Sequence, residues 1–216
     1  MDLCLAIGDV DWSLTKDAAS VLGSVVAAVG VGGAIYFGFQ GLKTWRTQFK
    51  GTSDHQLARN LLIEAYKFKA SMIAARDIGM SVDELDSNEI DEISACGEDR
   101  KRYAFTYSVY KRRLINMENT LAPMRALMIE AQATWGVPCI EPFNELIKMK
   151  DQWWTVARRY ASAMNPLEDA ETRERYAKAW IAHKGVLYDQ HKDDQFSTTF
   201  DEKLSLVEAF LRKRLL

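Results

Sequence analysis

The chain has 216 residues, and its 28 Lys and Arg against 30 Asp and Glu give a formal net charge of −2. A basic excess or a basic stripe is the usual electrostatic footprint of a nucleic-acid-binding protein, and the overall composition does not supply one. Cys4, Cys96 and Cys139 lie far apart, with no paired zinc-ligand spacing. We therefore assign the chain no disulfide, no metal and no cofactor.

Residues 18–42, AASVLGSVVAAVGVGGAIYFGFQGL, form a run without a charged side chain. At roughly 1.5 Å of rise per residue, a helix of this length crosses a bilayer core of about 30 Å. The run therefore predicts a transmembrane helix. A cleaved signal peptide would need a basic segment before the run and a small-residue cleavage site after it, and this chain has neither. A buried helix of a soluble protein is the remaining alternative.

The residues on either side of the run predict its orientation. Lys16 is the one base in an acidic segment before the run, whereas Lys43, Arg46 and further bases follow it closely. Basic residues near a span are retained on the cytoplasmic side. We expect residues 1–17 outside the membrane and everything after residue 42 in the cytoplasm. Trp12, Lys43, Trp45 and Arg46 are the predicted anchors at the membrane interfaces.

Small residues are dense within the run and follow helical spacing. Gly23, Ala27, Gly30, Ala34 and Gly38 fall near one face, and Ser20, Ser24, Ala28 and Gly32 form a second row. Such residues let helices approach closely. A dimer needs one face of this kind and a ring needs two, so we predict a homo-oligomer larger than a dimer. Its pore would be mostly apolar, with Ser20, Ser24 and Gln40 among the few polar groups. A glycine-rich single anchor is the alternative.

The rest of the chain predicts a helical bundle. We expect a juxtamembrane linker over residues 43–52, with a break or a bend at Gly51-Thr52, and a cytoplasmic domain over 53–216. Apolar residues recur at helical spacing in the ranges 54–78, 98–135, 142–164, 170–183 and 200–216, with a loop at 185–199. No stretch alternates with a period of two. The predicted fold class is all-α, with one N-terminal transmembrane helix before the bundle.

Two charged segments are candidates for binding. Residues 79–99 are rich in acids but lack the glycine and the alternation of a calcium loop, so we expect a surface loop with a short helix. Arg100, Arg102, Arg112 and Arg113 are interleaved with tyrosines, and with Arg59 they form the one credible RNA-contacting set. Aromatic residues at helical spacing more often form a core, so the sequence does not favour RNA binding.

The adjacent tryptophans Trp153 and Trp154 cannot both point inward from one helix. We expect one of them to lie at a subunit or partner contact, where tryptophan is favoured.

No motif in the chain indicates an enzyme. Phosphate-binding loops, metalloprotease motifs and nucleophile elbows are absent from the sequence. Helical ribonucleases of the HEPN type pair arginine and histidine in an R-x4-H motif, and here Arg59 is followed at that spacing by Glu64. A bundle of this type would therefore lack the general acid or base that catalysis needs. We predict a protein without catalytic residues.

Three segments carry a family resemblance: LKTWRTQFKG (42–51), LARNLLIEAYKFKASMIAAR (57–76) and DDQFSTTFDEKLSLVEAFLRKRL (193–215). They resemble a group of uncharacterised bacterial single-pass membrane proteins with an α-helical cytoplasmic domain. In layout alone, the chain is similar to membrane-anchored ancillary proteins of type VI RNA-guided phage-defence systems, which form ring-shaped pores with a degenerate HEPN-like bundle. The resemblance implies a bacterial inner-membrane protein and carries over no catalytic residue.

Three hypotheses follow. The first is a homo-oligomeric inner-membrane pore or permeability effector, controlled by its cytoplasmic domain and acting in antiphage defence. The second is a membrane anchor that docks a cytosolic defence protein through Trp153 or Trp154 and the acidic segment. The third is an RNA-binding or degenerate HEPN-like module that uses Arg59 and the bases between Arg100 and Arg113.

Overall fold

The computed structural model describes residues 9–189 and 194–215, with side chains from residue 15 onward. Every regular element in these ranges is a helix, which confirms the all-α fold class. The chain divides into two compact units, Met1–Ser53 and Asp54–Leu216.

The first helix, α1, runs from Asp9 to Ala75 and contains the whole uncharged run. It includes one segment long and apolar enough to cross a membrane, judged by length and composition. Residues 9–17 of the predicted outer segment belong to α1, and residues 1–8 lie outside the described residues. The predicted break at Gly51-Thr52 is wrong, and the predicted linker 43–52 is helical. A helical glycine costs only about 1 kcal/mol relative to alanine, which does not by itself end a helix.

The remaining helices are short or of ordinary length, apart from α3. They are α2 (Ser87–Ala95), α3 (Glu98–Trp135), α4 (Glu141–Ala163), α5 (Ala170–Ile181), α6 (Lys184–Leu187) and α7 (Gln195–Leu215), with 3-10 turns at Val82–Glu84 and Val137–Ile140. The predicted helices over 98–135, 142–164 and 170–183 are therefore confirmed to within two residues. The predicted loop over 185–199 is partly wrong, because α6 and the start of α7 fall inside it.

The core of the Asp54–Leu216 unit lies between the end of α1 and helices α3, α4 and α7. The predicted core positions of α1 are all buried: Leu57, Leu61, Ala65, Phe68 and Met72. The ring of Phe68 packs 5.7 Å from that of Phe200 on α7. Burying a large apolar side chain fully contributes about 1.5–3 kcal/mol, so this seam is a principal source of stability. Helix α4 packs against α3, α5, α6 and α7 and is the central element.

Candidate functional site

The small-residue rows of α1 are uncovered in the structure. A methyl group built on Gly23, Gly30 or Gly38 meets no atom within 4 Å outside the local helix backbone. Large apolar neighbours are equally open, with Val29 70% and Phe37 73% exposed. Ser20, Ala27 and Ala34 are exposed as well. No described part of this chain therefore packs on the rows, and an exposed apolar surface of this extent is typical of a membrane or protein contact.

The polar side chains of the run are hydrogen-bonded within the helix. The Ser24 hydroxyl donates to the carbonyl of Ser20 at 2.9 Å, and the Gln40 amide donates to the hydroxyl of Tyr36 at 3.2 Å. These bonds lower the cost of placing the groups in hydrocarbon, where an unsatisfied polar group costs several kcal/mol. Ser24 and Gln40 thus need no aqueous pore to be accommodated.

The predicted interface anchors after the run are accessible. Trp45 is 60% exposed and its ring stacks on that of Phe49, with centroids 5.6 Å apart. Lys43 and Arg46 are exposed too. The side chain of Trp12 lies outside the part of the chain that the structure describes.

Arg113 is a structural residue, which corrects its sequence-based placement on an RNA or partner surface. It is 6% exposed, and its Nε and Nη2 donate to the Glu84 carboxylate at 2.7 and 2.8 Å. Its remaining N–H groups donate to the carbonyls of Ala75, Asp77 and Gly79. The hydrogen bond from Arg113 lowers the pKa of Glu84. All five donors of the guanidinium are therefore used, and none is left for a phosphate.

Arg112 is also engaged within the bundle, so its predicted role as a surface contact is corrected. Its Nη2 lies 2.5 Å from a carboxylate oxygen of Asp86 and 2.5 Å from one of Glu89. The acidic segment and the bases of α3, which the sequence presents as two separate charged surfaces, therefore pair with each other. Of the predicted RNA-contacting set, Arg59, Arg100 and Arg102 remain exposed.

Trp153 and Trp154 have different environments. Trp153 is fully buried and meets the ring of Tyr110 edge-on at 5.9 Å. It is therefore a core residue, which corrects its placement as a candidate contact. Trp154 is half-buried, with its ring 6.4 Å from that of Tyr107. As expected for adjacent residues on a helix, the two side chains point in different directions, and of the two only Trp154 is partly accessible.

Sequence reasoning missed a second buried arginine, Arg76, which directly follows α1. Arg76 is 2% exposed. Its guanidinium pairs with Asp194 at 2.8 Å. It also donates to the carbonyls of Gly185, Val186 and Tyr188 and to the hydroxyl of Ser197. We call these residues the Arg76 cluster. Arg76 lies four residues after Met72 and eight after Phe68, in line with the buried face of the helix. A charged residue at a position that the helical pattern predicts to be buried is the sequence signal for such a buried arginine.

The Arg76 cluster also begins α7. Asp194 accepts backbone hydrogen bonds from Phe196 and Ser197, as an N-terminal cap does. Burial acts to raise the pKa of Asp194, but the hydrogen bonds from Arg76 and Ser197 outweigh it and lower the pKa to about 2. The cluster therefore joins the end of α1 to α6 and α7 through a charged, fully hydrogen-bonded group.

The described residues hold no group of three or more His, Cys, Asp or Glu side chains placed to bind a metal. Glu64, at the position where the ribonuclease motif has histidine, pairs with Lys67 at 2.7 Å. Cys96 and Cys139 are free thiols, and Cys4 lies outside the described residues. Comparison with protein families, curated proteins and solved structures finds no match for this chain.

Proposed function

We propose that this chain is a single-pass bacterial inner-membrane protein that self-associates through the small-residue rows of α1 and alters membrane permeability under the control of its bundle. The observation that carries the proposal is the uncovered state of those rows. Gly23, Gly30 and Gly38 lie open beside Ala27 and Ala34, and nothing else in the described chain packs there. Antiphage defence, as the setting, rests on the resemblance in layout.

Packing in lipid supports association through these rows. Lipid tails are as apolar as leucine, so helix association in a membrane depends on close backbone approach rather than on burial from water. Large side chains such as Leu22 and Val29 occupy other directions around α1. The two rows differ in direction, so each helix in a ring has one surface for each neighbour.

Contacts between the bundle and the end of α1 support control of the span by the bundle. The Arg76 cluster and the carbonyls that Arg113 holds fix the final turn of α1 among α3, α6 and α7. Because these contacts are buried and charge-assisted, a rearrangement of α6 or α7 would act directly on that end of the helix. This linkage is the route by which a cytoplasmic signal would reach the span.

Leucine substitution at Gly30 and Ala34 tests the association. Neither change meets another part of the chain, so the bundle should fold as before. We expect light scattering to give detergent-purified wild-type protein a mass above that of a dimer, and the double variant a smaller mass. Gly33 lies about 100° around the helix from the centre of the first row, and Gly33→Leu is the matched control that should leave the mass unchanged. A monomeric wild type, or equal effects of the two variants, would overturn the association.

Dye release from liposomes tests permeability separately. We expect wild-type protein to release a small encapsulated dye and the Gly30→Leu, Ala34→Leu double variant to release less. If wild-type protein assembles but releases neither dye nor ions while its span and bundle remain folded, the pore proposal is wrong. The protein would then be an oligomeric membrane anchor.

A further inference from the structure

A large cleft in the described bundle lies beside the Arg76 cluster, with which it shares Val186. It has a volume of about 590 Å³ and lies between α4 and two residues on the opposite side, His183 at the start of α6 and Val186 within α6. Its α4 side is formed by Lys148, Gln152, Thr155 and Arg159, which follow one face of the helix. Small-molecule sites commonly have volumes of about 300–1,000 Å³. The cleft is thus large enough for a metabolite-sized ligand.

Arg159 distinguishes this cleft from the rest of the bundle. The buried arginines Arg76 and Arg113 are paired with carboxylates, whereas the half-buried Arg159 has no ion pair with any residue in the described ranges. The other charges that line the cleft are compensated. Lys148 lies 2.5 Å from Glu145, and Asp151 lies 3.0 Å from the buried Lys150. Among the described residues that line the cleft, Arg159 is therefore the charged one without an ion pair.

The remaining lining suits a ligand that is part anionic and part apolar. His183 and Gln152 bring hydrogen-bonding groups, and Val156 and Val186 bring an apolar surface. A planar guanidinium matches the geometry of a phosphate and can bind two of its oxygens at once. A second cavity of about 410 Å³ shares Gln152, His183 and Val186, so these groups are accessible from two sides.

We propose that this cleft binds a small organic phosphate, with the phosphate on Arg159 and the organic part against Val156 and Val186. The carbonyl of Val186 also accepts a hydrogen bond from Arg76 Nε at 3.1 Å, so the ligand would lie beside the Arg76 cluster. The proposal concerns the bundle alone and stands whether or not α1 forms a pore.

Calorimetry on the full chain in detergent tests the proposal, with adenosine monophosphate as the organic phosphate, adenosine as the uncharged probe and inorganic phosphate as the anion alone. We expect the monophosphate to bind more tightly than either of the others. Arg159→Gln should weaken its binding about tenfold, the effect of losing one charge-assisted hydrogen bond. The adjacent Arg158 is exposed and does not line the cleft, so Arg158→Gln should change binding by less than about twofold.

Methyl NMR of the wild type provides a readout that needs no variant. Titration with the monophosphate should shift the methyl signals of Val156 and Val186 and leave those of Val109 and Val207, which are buried elsewhere, unchanged. Equal binding of adenosine and its monophosphate, equal effects of the two arginine variants, or unshifted Val156 and Val186 signals at millimolar monophosphate would each overturn the proposal.

Discussion

Buried cations stabilise the bundle at single positions. Arg76, Arg113 and Lys150 are each at most 6% exposed, and each is paired with a carboxylate. Burying a charge is costly unless it is paired and hydrogen-bonded, so each of these residues depends on its partners being in place. The segments that carry these cations and their carboxylate partners must therefore be in contact for the bundle to be stable.

Arg113→Gln should lower the free energy of unfolding by about 3 kcal/mol. The change removes the charge that compensates Glu84 and leaves the carbonyls of Ala75, Asp77 and Gly79 without their donor. Urea unfolding of the detergent-solubilised chain, followed by tryptophan fluorescence, measures the effect. Arg100 is exposed, so Arg100→Gln is the control and should stay within about 0.5 kcal/mol of wild type. Similar losses in both variants would show that Arg113 is not the structural residue described above.

Asp194 should make stability depend on pH in the acid range. Its pKa in the folded protein is about 2, below the value of about 3.9 expected when unfolded. A lowered pKa contributes stability above pH 4 that is lost as the pH falls towards 2. In Asp194→Asn the contribution is missing at every pH, so the difference in unfolding free energy between the two proteins should shrink by about 2 kcal/mol between pH 5 and pH 2. A constant difference would contradict the pairing with Arg76.

At the scale of elements, the connection between α3 and α4 depends on one backbone conformation. Gly136 ends α3 with φ 87° and ψ 170°, a region that residues with a side chain rarely adopt. An added methyl group would lie 3.8 Å from Pro138 Cδ, an ordinary contact. The restriction therefore comes from the backbone rather than from crowding.

Gly136→Ala should accordingly destabilise the bundle by roughly 1–3 kcal/mol through backbone strain. Gly97, which precedes α3 with φ −60°, has open space around its α-carbon and is the matched control. Gly97→Ala should cost at most about 1 kcal/mol, because only a capping preference changes. Thermal unfolding of both variants measures their stabilities. A larger loss of stability in Gly97→Ala than in Gly136→Ala would contradict the backbone restriction at Gly136.

For the whole molecule, the decisive property is whether α1 lies in a membrane. Val29 is near the middle of the uncharged run and 70% exposed, so Val29→Arg disturbs no packing within the chain. At the centre of a span, arginine costs about 2.5–3.5 kcal/mol on insertion scales. Val29→Arg should therefore shift protein out of the carbonate-resistant membrane fraction, while Val29→Leu should not. A wild type recovered in the soluble fraction, or an unchanged distribution of Val29→Arg, would contradict the span.

Much of the architecture is determined by local pattern. Leu57, Leu61, Phe68 and Met72 are buried at the spacing that their positions predict, and α3 has the predicted limits. Helical periodicity and the uncharged run are properties of neighbouring residues, so they can be recognised without knowing what packs against them. Helix ends are less predictable where the sequence signal is a single glycine, as the continuous helix through Gly51 shows.

Tertiary structure alone decided the roles of the charged and aromatic side chains. The sequence does not reveal that Arg113 meets Glu84, that Arg76 meets Asp194 more than a hundred positions away, or which of Trp153 and Trp154 is buried. The reason is physical: a free surface charge and a buried paired one have the same local pattern, and they differ only in which distant segment folds against them.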